Sequence, residues 1–284
     1  MRSWRAAKRP LPYLLALATS SDIGSSATIT GNPQNILIGS VSGIAFRRFL
    51  QVLGPVAIVG LALDALLIWF VFRREFSVRH EPSATVPPVR IHRGLLWKTL
   101  IITGGVLAGF LAGFRVDWVA AAGAGLLALT SPVRARKLYT AIDWELLLLF
   151  AGLFVVVAAG ARAGFDRWIF DQLRPLGVAT VAGLSATAAI LSNAISNVPA
   201  VMLFTGIVPR LPAPERAWLT LAMSSTLAGN VTILGSIANL IVVEGAGRRG
   251  VTVRFRDYAA IGIPLSVLSI AFGIFWLSRT ILGP

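Results

Sequence analysis

Three stretches of this 284-residue chain set amide and hydroxyl side chains beside glycine or proline within apolar sequence: TITGNPQN (Thr28 to Asn35), SNAISNVP (Ser192 to Pro199) and GNVTILGSIAN (Gly229 to Asn239). Asn32 is a good N-cap and Pro33 suits the first helical position, so a half-helix is predicted to begin there. Ser236 is predicted to cap a matching half-helix in the third stretch. A helix N-terminus has free N–H groups and a partial positive charge, so two of them at the middle of a membrane would hold an anion. The carbonyls released where each preceding half-helix ends can coordinate Na⁺ or bridge to a proton-carrying water, with Thr28, Thr232, Asn35 and Asn239 adding side-chain oxygens. The second stretch offers Ser192, Asn193, Ser196 and Asn197, followed by Val198 and by Pro199, which is predicted to start a returning helix. These groups are neutral, and a neutral tip can hold a carboxylate, an oxyanion or a hydroxide-like solute. Small polar residues also glue membrane helices together, which is the plainer account of Ser192.

Asp22 precedes the first stretch by a few residues. An intramembrane acid is expensive and marks function by default. Proton or sodium coupling is one reading, an ordinary acid facing a water-filled vestibule the other. Asp64 reads as a packed or hydrogen-bonded residue, and His80 and His92 as solvated loop residues without the third ligand a metal needs. No Ser/His, paired Asp or metal-ligand set falls at membrane depth, which argues against an enzyme and against a bound cofactor other than a coupling ion. The candidate set is therefore Asn32, Pro33, Asn35, Ser196, Asn197, Val198, Ser236 and Asn239 for substrate, and Asp22, Thr28, Gly31, Thr232 and Gly235 for ion coupling, with Na⁺ expected at Thr28, Asn35, Thr232 and Asn239.

Membrane depth follows from composition. The chain is 56% hydrophobic and only 13% charged, with a mean hydropathy of +0.76, where a soluble domain carries about a quarter charged residues. Segments 49–72, 95–113, 144–161 and 259–278 approach the roughly 20 apolar residues of a spanning helix, and 116–131 is a shorter candidate. The eight tryptophans fall near segment ends, as in an interfacial belt. The net charge of +14 lies in short clusters between apolar spans and not along one face, which argues against nucleic acid. Cysteine is absent.

The elements that position these residues are unusual. Stretches 10–46, 175–209 and 217–247 lack Lys and Arg, exceed one straight span and are too short for two, so each must break within the membrane, which irregular backbone tolerates only where buried or lining a cavity. Aligning Ser20 with Ser224 pairs SSDIGSSATITGNPQNILIG with SSTLAGNVTILGSIANLIVV, matching Thr28 with Thr232, Gly31 with Gly235 and Asn35 with Asn239. Phe49 with Tyr258 and Pro55 with Pro264 extend the match. Interrupted spans at corresponding positions of two halves point to a transporter binding site. The repeat argues that the signal-like N-terminus is not cleaved. The predicted organisation is an all-α integral membrane protein: a truncated first repeat at 1–72 (broken helix 11–46, helix 49–72), a polar linker at 73–94, and a second repeat at 95–284. The second repeat holds scaffold helices 95–161, a re-entrant hairpin 175–209, a broken helix 215–247 and a last helix 258–281. Threading the spans puts 17 of 26 Lys/Arg on one side. That side is read as cytoplasmic, with the N-terminus and linker on it, and the two motifs become inverted. Gly105, Gly109 and Gly113 form a GxxxGxxxG face that reads as helix packing.

These paired motifs, SSDIGSSATITGNPQNILIGS and LSNAISNVPAVMLF followed by LAGNVTILGSIANLIVV, resemble those of the ion transporter superfamily, in particular citrate-transporter-like and anion permeases, arsenite permeases and their sodium/proton antiporter relatives. The resemblance implies a secondary carrier of a small anion with Na⁺ or H⁺ coupling, an elevator movement of hairpin and broken helix, and a homodimer in the cell membrane. Two departures qualify it. GSIAN stands where the family usually has a proline, and hardly a dozen residues precede the first motif where about a hundred precede the second in its own half. A first hairpin is thus expected to be missing. A cation/proton antiporter and a non-transporting fragment are the alternatives.

Overall fold

Apolar runs as long as a bilayer core is thick become helices in the computed structural model, which describes residues 10–76, 92–130, 139–140, 142 and 144–280. Among these, the chain forms α1 (Leu11–Ser25), α2 (Pro33–Ser42), α3 (Phe46–Phe76), α4 (Arg93–Leu111), α5 (Val116–Thr130), α6 (Trp144–Arg162), α7 (Phe165–Leu173), α8 (Val181–Ile195), α9 (Asn197–Phe204), α10 (Pro214–Ala228), α11 (Ile237–Gly247) and α12 (Phe255–Arg279), and no strand. Three of them, α3, α4 and α12, are each long and apolar enough to cross a membrane, and α7 with its following turn meets α8 at a bend of 119°. The expected spans are helical over most of their lengths, α4 stopping at Leu111 short of the expected 113 and α3 extending to Phe76 across a kink at Phe72. Trp4, His80 and most of the 73–94 linker lie outside the described residues.

Buried polarity concentrates on α10, where every residue from Ala217 to Ala228 is buried. Around it pack α8, α12 and α2, while α1 lies against α3 and α11, and α3 against α12. Leu15, Ile23, Phe49, Leu221, Met223 and Tyr258 fill the space between these helices. The α4–α5 pair sits outside this core, joined through α3, and α5 buries none of its residues.

Several expectations need correction. Trp218 is 4% exposed and belongs to the core, because α10 is surrounded by protein; Trp69, Trp97, Trp118, Trp144 and Trp168 are exposed, as a belt requires. Of the GxxxGxxxG face, Gly109 packs against Val119 of α5, whereas Gly105 meets nothing and Gly113 lies past the helix end with φ of +89°. The returning helix of the hairpin starts at Asn197, not at Pro199.

Contacts between residues distant in sequence hold certain helix ends together. Arg48 Nε donates to Glu215 Oε1 at 2.8 Å, and Arg216 Nη2 donates to the Thr280 carbonyl at 3.3 Å. At the other end, the rings of Tyr13 and Phe76 meet edge to face, 5.8 Å apart.

Candidate functional site

The first long segment ends its helix at Ser25 and resumes at Pro33, so the break lies at 26–32 and overlaps the first part of the Thr28–Asn35 stretch. Asn32 caps α2 as expected, its Oδ1 accepting the Asn35 N–H at 2.9 Å, and Pro33 takes the first helical position. The second break runs from Gly229 to Ser236 and contains a turn of 3-10 helix at Ile233–Gly235.

A shift of 204 residues superimposes the hydrogen bonds of the two breaks. Ser26, Ala27, Gly31 and Ile36 donate their N–H groups to the carbonyls of Ile23, Gly24, Thr28 and Asn32; Asn230, Val231, Gly235 and Leu240 donate to those of Leu227, Ala228, Thr232 and Ser236. The side chains follow suit. Asn35 Nδ2 donates to the Ser25 carbonyl at 3.2 Å and to Thr28 at 3.0 Å, and Asn239 Nδ2 donates to the Gly229 carbonyl, Ser25's counterpart, at 3.0 Å. Each asparagine thus ties down carbonyls that the ending helix leaves free. Gly31 and Gly235 share one reason for being glycine: a methyl group would stand 1.9 Å from the Ser25 carbonyl oxygen in one break and 2.6 Å from that of Gly229 in the other.

Cross-contacts join the two breaks reciprocally. Asp22 of α1 and Thr226 of α10 are counterparts under the same shift, as are Asn32 and Ser236. Ser236 Oγ donates to Asp22 Oδ1 at 2.7 Å, and Asn32 Nδ2 donates to Thr226 Oγ1 at 3.0 Å. The expected side-chain cap at Ser236 is therefore absent: its hydroxyl is spent on Asp22, and the N-terminus of α11 has no side-chain cap. Asp22 is 3% exposed and its Oδ2 has no partner. Asp64 is hydrogen-bonded within the bundle, as expected, with the Thr19 hydroxyl donating to it at 2.8 Å.

The hairpin touches both broken segments, since α9 packs on α2 and α8 along α10. Its turn is made by Ser196 at φ +76° and ψ +157°, backbone that only glycine adopts without strain. Asn193 Nδ2 donates to the Ala228 carbonyl at 3.0 Å, while Ser192 bonds within its own helix. Val198 is buried. The Oδ1 atoms of Asn35, Asn197 and Asn239 are buried without partners, so three asparagine oxygens and one carboxylate oxygen here lack donors. Thr28 and Thr232, expected to offer hydroxyls, take part through main-chain carbonyls. Among the described residues, no group of three His, Cys, Asp or Glu side chains gathers as a metal site.

Sequence reasoning missed Thr226 and Gln34, whose Nε2 donates to Thr226 Oγ1 at 3.2 Å. The signal for Thr226 was present in the repeat alignment, which sets it opposite Asp22.

Paired broken helices clasped by a polar hairpin, within a multi-pass helical bundle, define a membrane transporter and not an enzyme. The chain belongs to the citrate transporter family, which it matches over residues 4–223. It is 30% identical to a 46 kDa membrane protein of Mycobacterium leprae, over 96% of this chain and 68% of that one. It is 31% identical to an uncharacterized transporter of Mycobacterium tuberculosis, over 96% and 68%, and 29% identical to a silicon efflux transporter of Oryza sativa subsp. japonica, over 95% and 71%.

Proposed function

We propose that this protein is a secondary active transporter of a small anion, a carboxylate or an inorganic oxyanion, with the cargo held between the N-termini of α2 and α11 and the hairpin tip at Ser196–Val198. The observation that carries this reading is the reciprocal pairing of Asn32 with Thr226 and Ser236 with Asp22, which draws both half-helix starts together. N–H groups at such starts favour negative charge. Asn35, Asn197 and Asn239 add neutral oxygens, and their amide groups can turn to suit the cargo's hydroxyls or oxygens. The family match suggests a carboxylate and the rice relative a silicon oxoacid.

Coupling is to Na⁺ or H⁺: Na⁺ at the freed carbonyls and asparagine oxygens around Thr28, Asn35, Thr232 and Asn239, or a proton at Asp22. Gly31 and Gly235 act through the tight turns they permit. The two breaks belong to inverted repeats, 1–72 and 95–284, joined by a cytoplasmic linker. The hairpin and broken helices move against the α3, α4 and α12 scaffold in the manner of an elevator, in a homodimer whose N-terminus is cytoplasmic. A cation/proton antiporter is the second reading, favoured by the buried carboxylate of Asp22 alone.

Uptake of labelled citrate, sulfate, arsenite and silicate into proteoliposomes, under sodium and proton gradients imposed separately, tests the proposal. Anion flux driven by one gradient is the expected result. Flux indifferent to both gradients defeats coupling, and cation exchange without anion flux selects the antiporter. Complete inactivity of folded protein points to the non-transporting fragment, a reading suggested by relatives of which the chain spans 68%.

A further inference from the structure

We infer that Asp22 is a tethered competitor for the anion site at the start of α11, so that proton uptake by this one carboxyl and anion binding at Ser236 are a single linked equilibrium. The inference rests on the anion reading above and goes further by naming the coupling ion, the residue and the electrostatic reason.

Ser236 is the N-cap residue of α11, an 11-residue helix with no side-chain cap bond. The group that lies against it is the Asp22 carboxyl, held by the Ser236 hydroxyl at 2.7 Å. A negative charge there is where the helix start favours one. An ionised Asp22 therefore satisfies the same positive end that the cargo would use, and a second negative charge brought into that buried space meets repulsion that little solvent screens.

Oδ2 supplies the release. It has no hydrogen-bond partner, and two main-chain carbonyl oxygens lie in the same small space. A point one bond out from the Gly229 Cα lies 3.2 Å from Asp22 Oδ2 and 3.0 Å from each of the carbonyl oxygens of Gly235 and Thr226. An acid O–H can serve such a setting where a carboxylate oxygen cannot, because a carboxylate only accepts. A proton from water bonds to Oδ2, the carboxyl becomes neutral, no other bond breaks, and Oδ1 can still accept from Ser236. The α11 start is then free to hold an external anion.

The neighbouring charges do not take over this role. On α3, Asp64 faces the same interior and is held by Thr19. On α12, Tyr258 donates its hydroxyl to Asn230 Oδ1 at 3.3 Å. On α10 the acid is Glu215, at the far end beside Arg48, and on α11 it is Glu244, in the last turn. Asp22 is the carboxyl in contact with the helix start. Its counterpart in the other break is the neutral Thr226, so the charge-operated side is the second break alone.

The test is equilibrium binding of labelled citrate to the purified full chain in nanodiscs, between about pH 5.5 and about pH 8, with sulfate as a probe of constant charge. For one linked proton, affinity in the unsubstituted chain falls with rising pH relative to Asp22→Asn, which binds at all pH values, and the extra fall approaches about tenfold per pH unit once Asp22 is ionised in the unliganded protein. The difference between the two proteins cancels the titration of citrate itself. Asp64→Asn keeps the full slope. Equal slopes in Asp22→Asn and the unsubstituted chain overturn the inference, as does loss of the slope in Asp64→Asn. If Asp22→Asn does not fold, Ser236→Ala, which removes the donor to the ionised carboxyl, extends binding to higher pH; an unchanged profile overturns the inference. Absence of citrate and sulfate binding to the unsubstituted chain at every pH defeats the anion reading beneath it.

Discussion

The hydroxyl of Ser236 donates to Oδ1 of Asp22 at 2.7 Å across 214 residues of chain, and exchanging each partner for its repeat counterpart reproduces the contact as Asn32 to Thr226. A pair that maps onto another pair when the halves are swapped is what a local two-fold relation between two similar elements produces. It also decides how the two breaks differ: one contact is neutral and the other carries a carboxyl.

Removing the Thr226 hydroxyl leaves two amides, those of Asn32 and Gln34, without their shared acceptor. Thr226→Val is expected to cost about 1–3 kcal/mol, the penalty for orphaning buried polar groups, and more than Ser236→Ala. Thermal unfolding in detergent ranks the two. A Thr226→Val protein as stable as its parent contradicts the contact.

The crowding at Gly31 has a control in the same segment. A methyl group at Gly31 would meet the Ser25 backbone oxygen, whereas one at Gly24 meets nothing within 4 Å. Gly31→Ala should therefore lose about 1–3 kcal/mol or more through forced backbone shifts, and Gly24→Ala should be close to neutral. Yield of monodisperse protein and melting temperature read this out, and equal behaviour of the two variants would count against the described break.

Ser196 holds a backbone conformation suited to glycine at the hairpin tip. Ser196→Gly is expected to raise stability by about 1–3 kcal/mol by relieving strain, and to slow uptake as the tip loses its fixed geometry. Ser196→Val should destabilise. A less stable Ser196→Gly protein would show that the strain is not there.

Because the chain has no cysteine, Arg48→Cys with Glu215→Cys supplies the two thiols that a cross-linking reagent can join. Because the parent side chains meet at 2.8 Å through their full lengths, a bifunctional thiol reagent long enough to replace the arginine and glutamate stems is expected to join the two cysteines in native membranes. Failure to cross-link would place the two helix ends apart. Neutralising the pair instead, as Glu215→Gln, should change stability by about 1 kcal/mol or less, since such pairs near the surface contribute little.

Much of the fold was legible because lipid imposes a simple rule. Apolar runs such as 259–278 must be helices, and Lys/Arg-free stretches too long for one span must bend. Asn32 and Pro33 announced a helix start because their preferences act locally. Ser236 did not behave the same way, and its aligned position gave no warning: its hydroxyl was claimed by Asp22, a residue distant in sequence. Trp218 misled for a related reason, since interfacial and core tryptophans look alike until the neighbours are known. The match of Gly31 with Gly235 was visible in the alignment, but the carbonyls that require glycine there appear only in three dimensions.

The asparagine ties have a mechanical consequence. Since Asn35 and Asn239 each fasten their own half-helix to the end of the one before it, a broken segment is a bent rod and not a hinge. Whatever slides during a working cycle, the two pieces of each rod travel together. In the proposed elevator movement both rods therefore slide as units along α3 and α12, on which they pack.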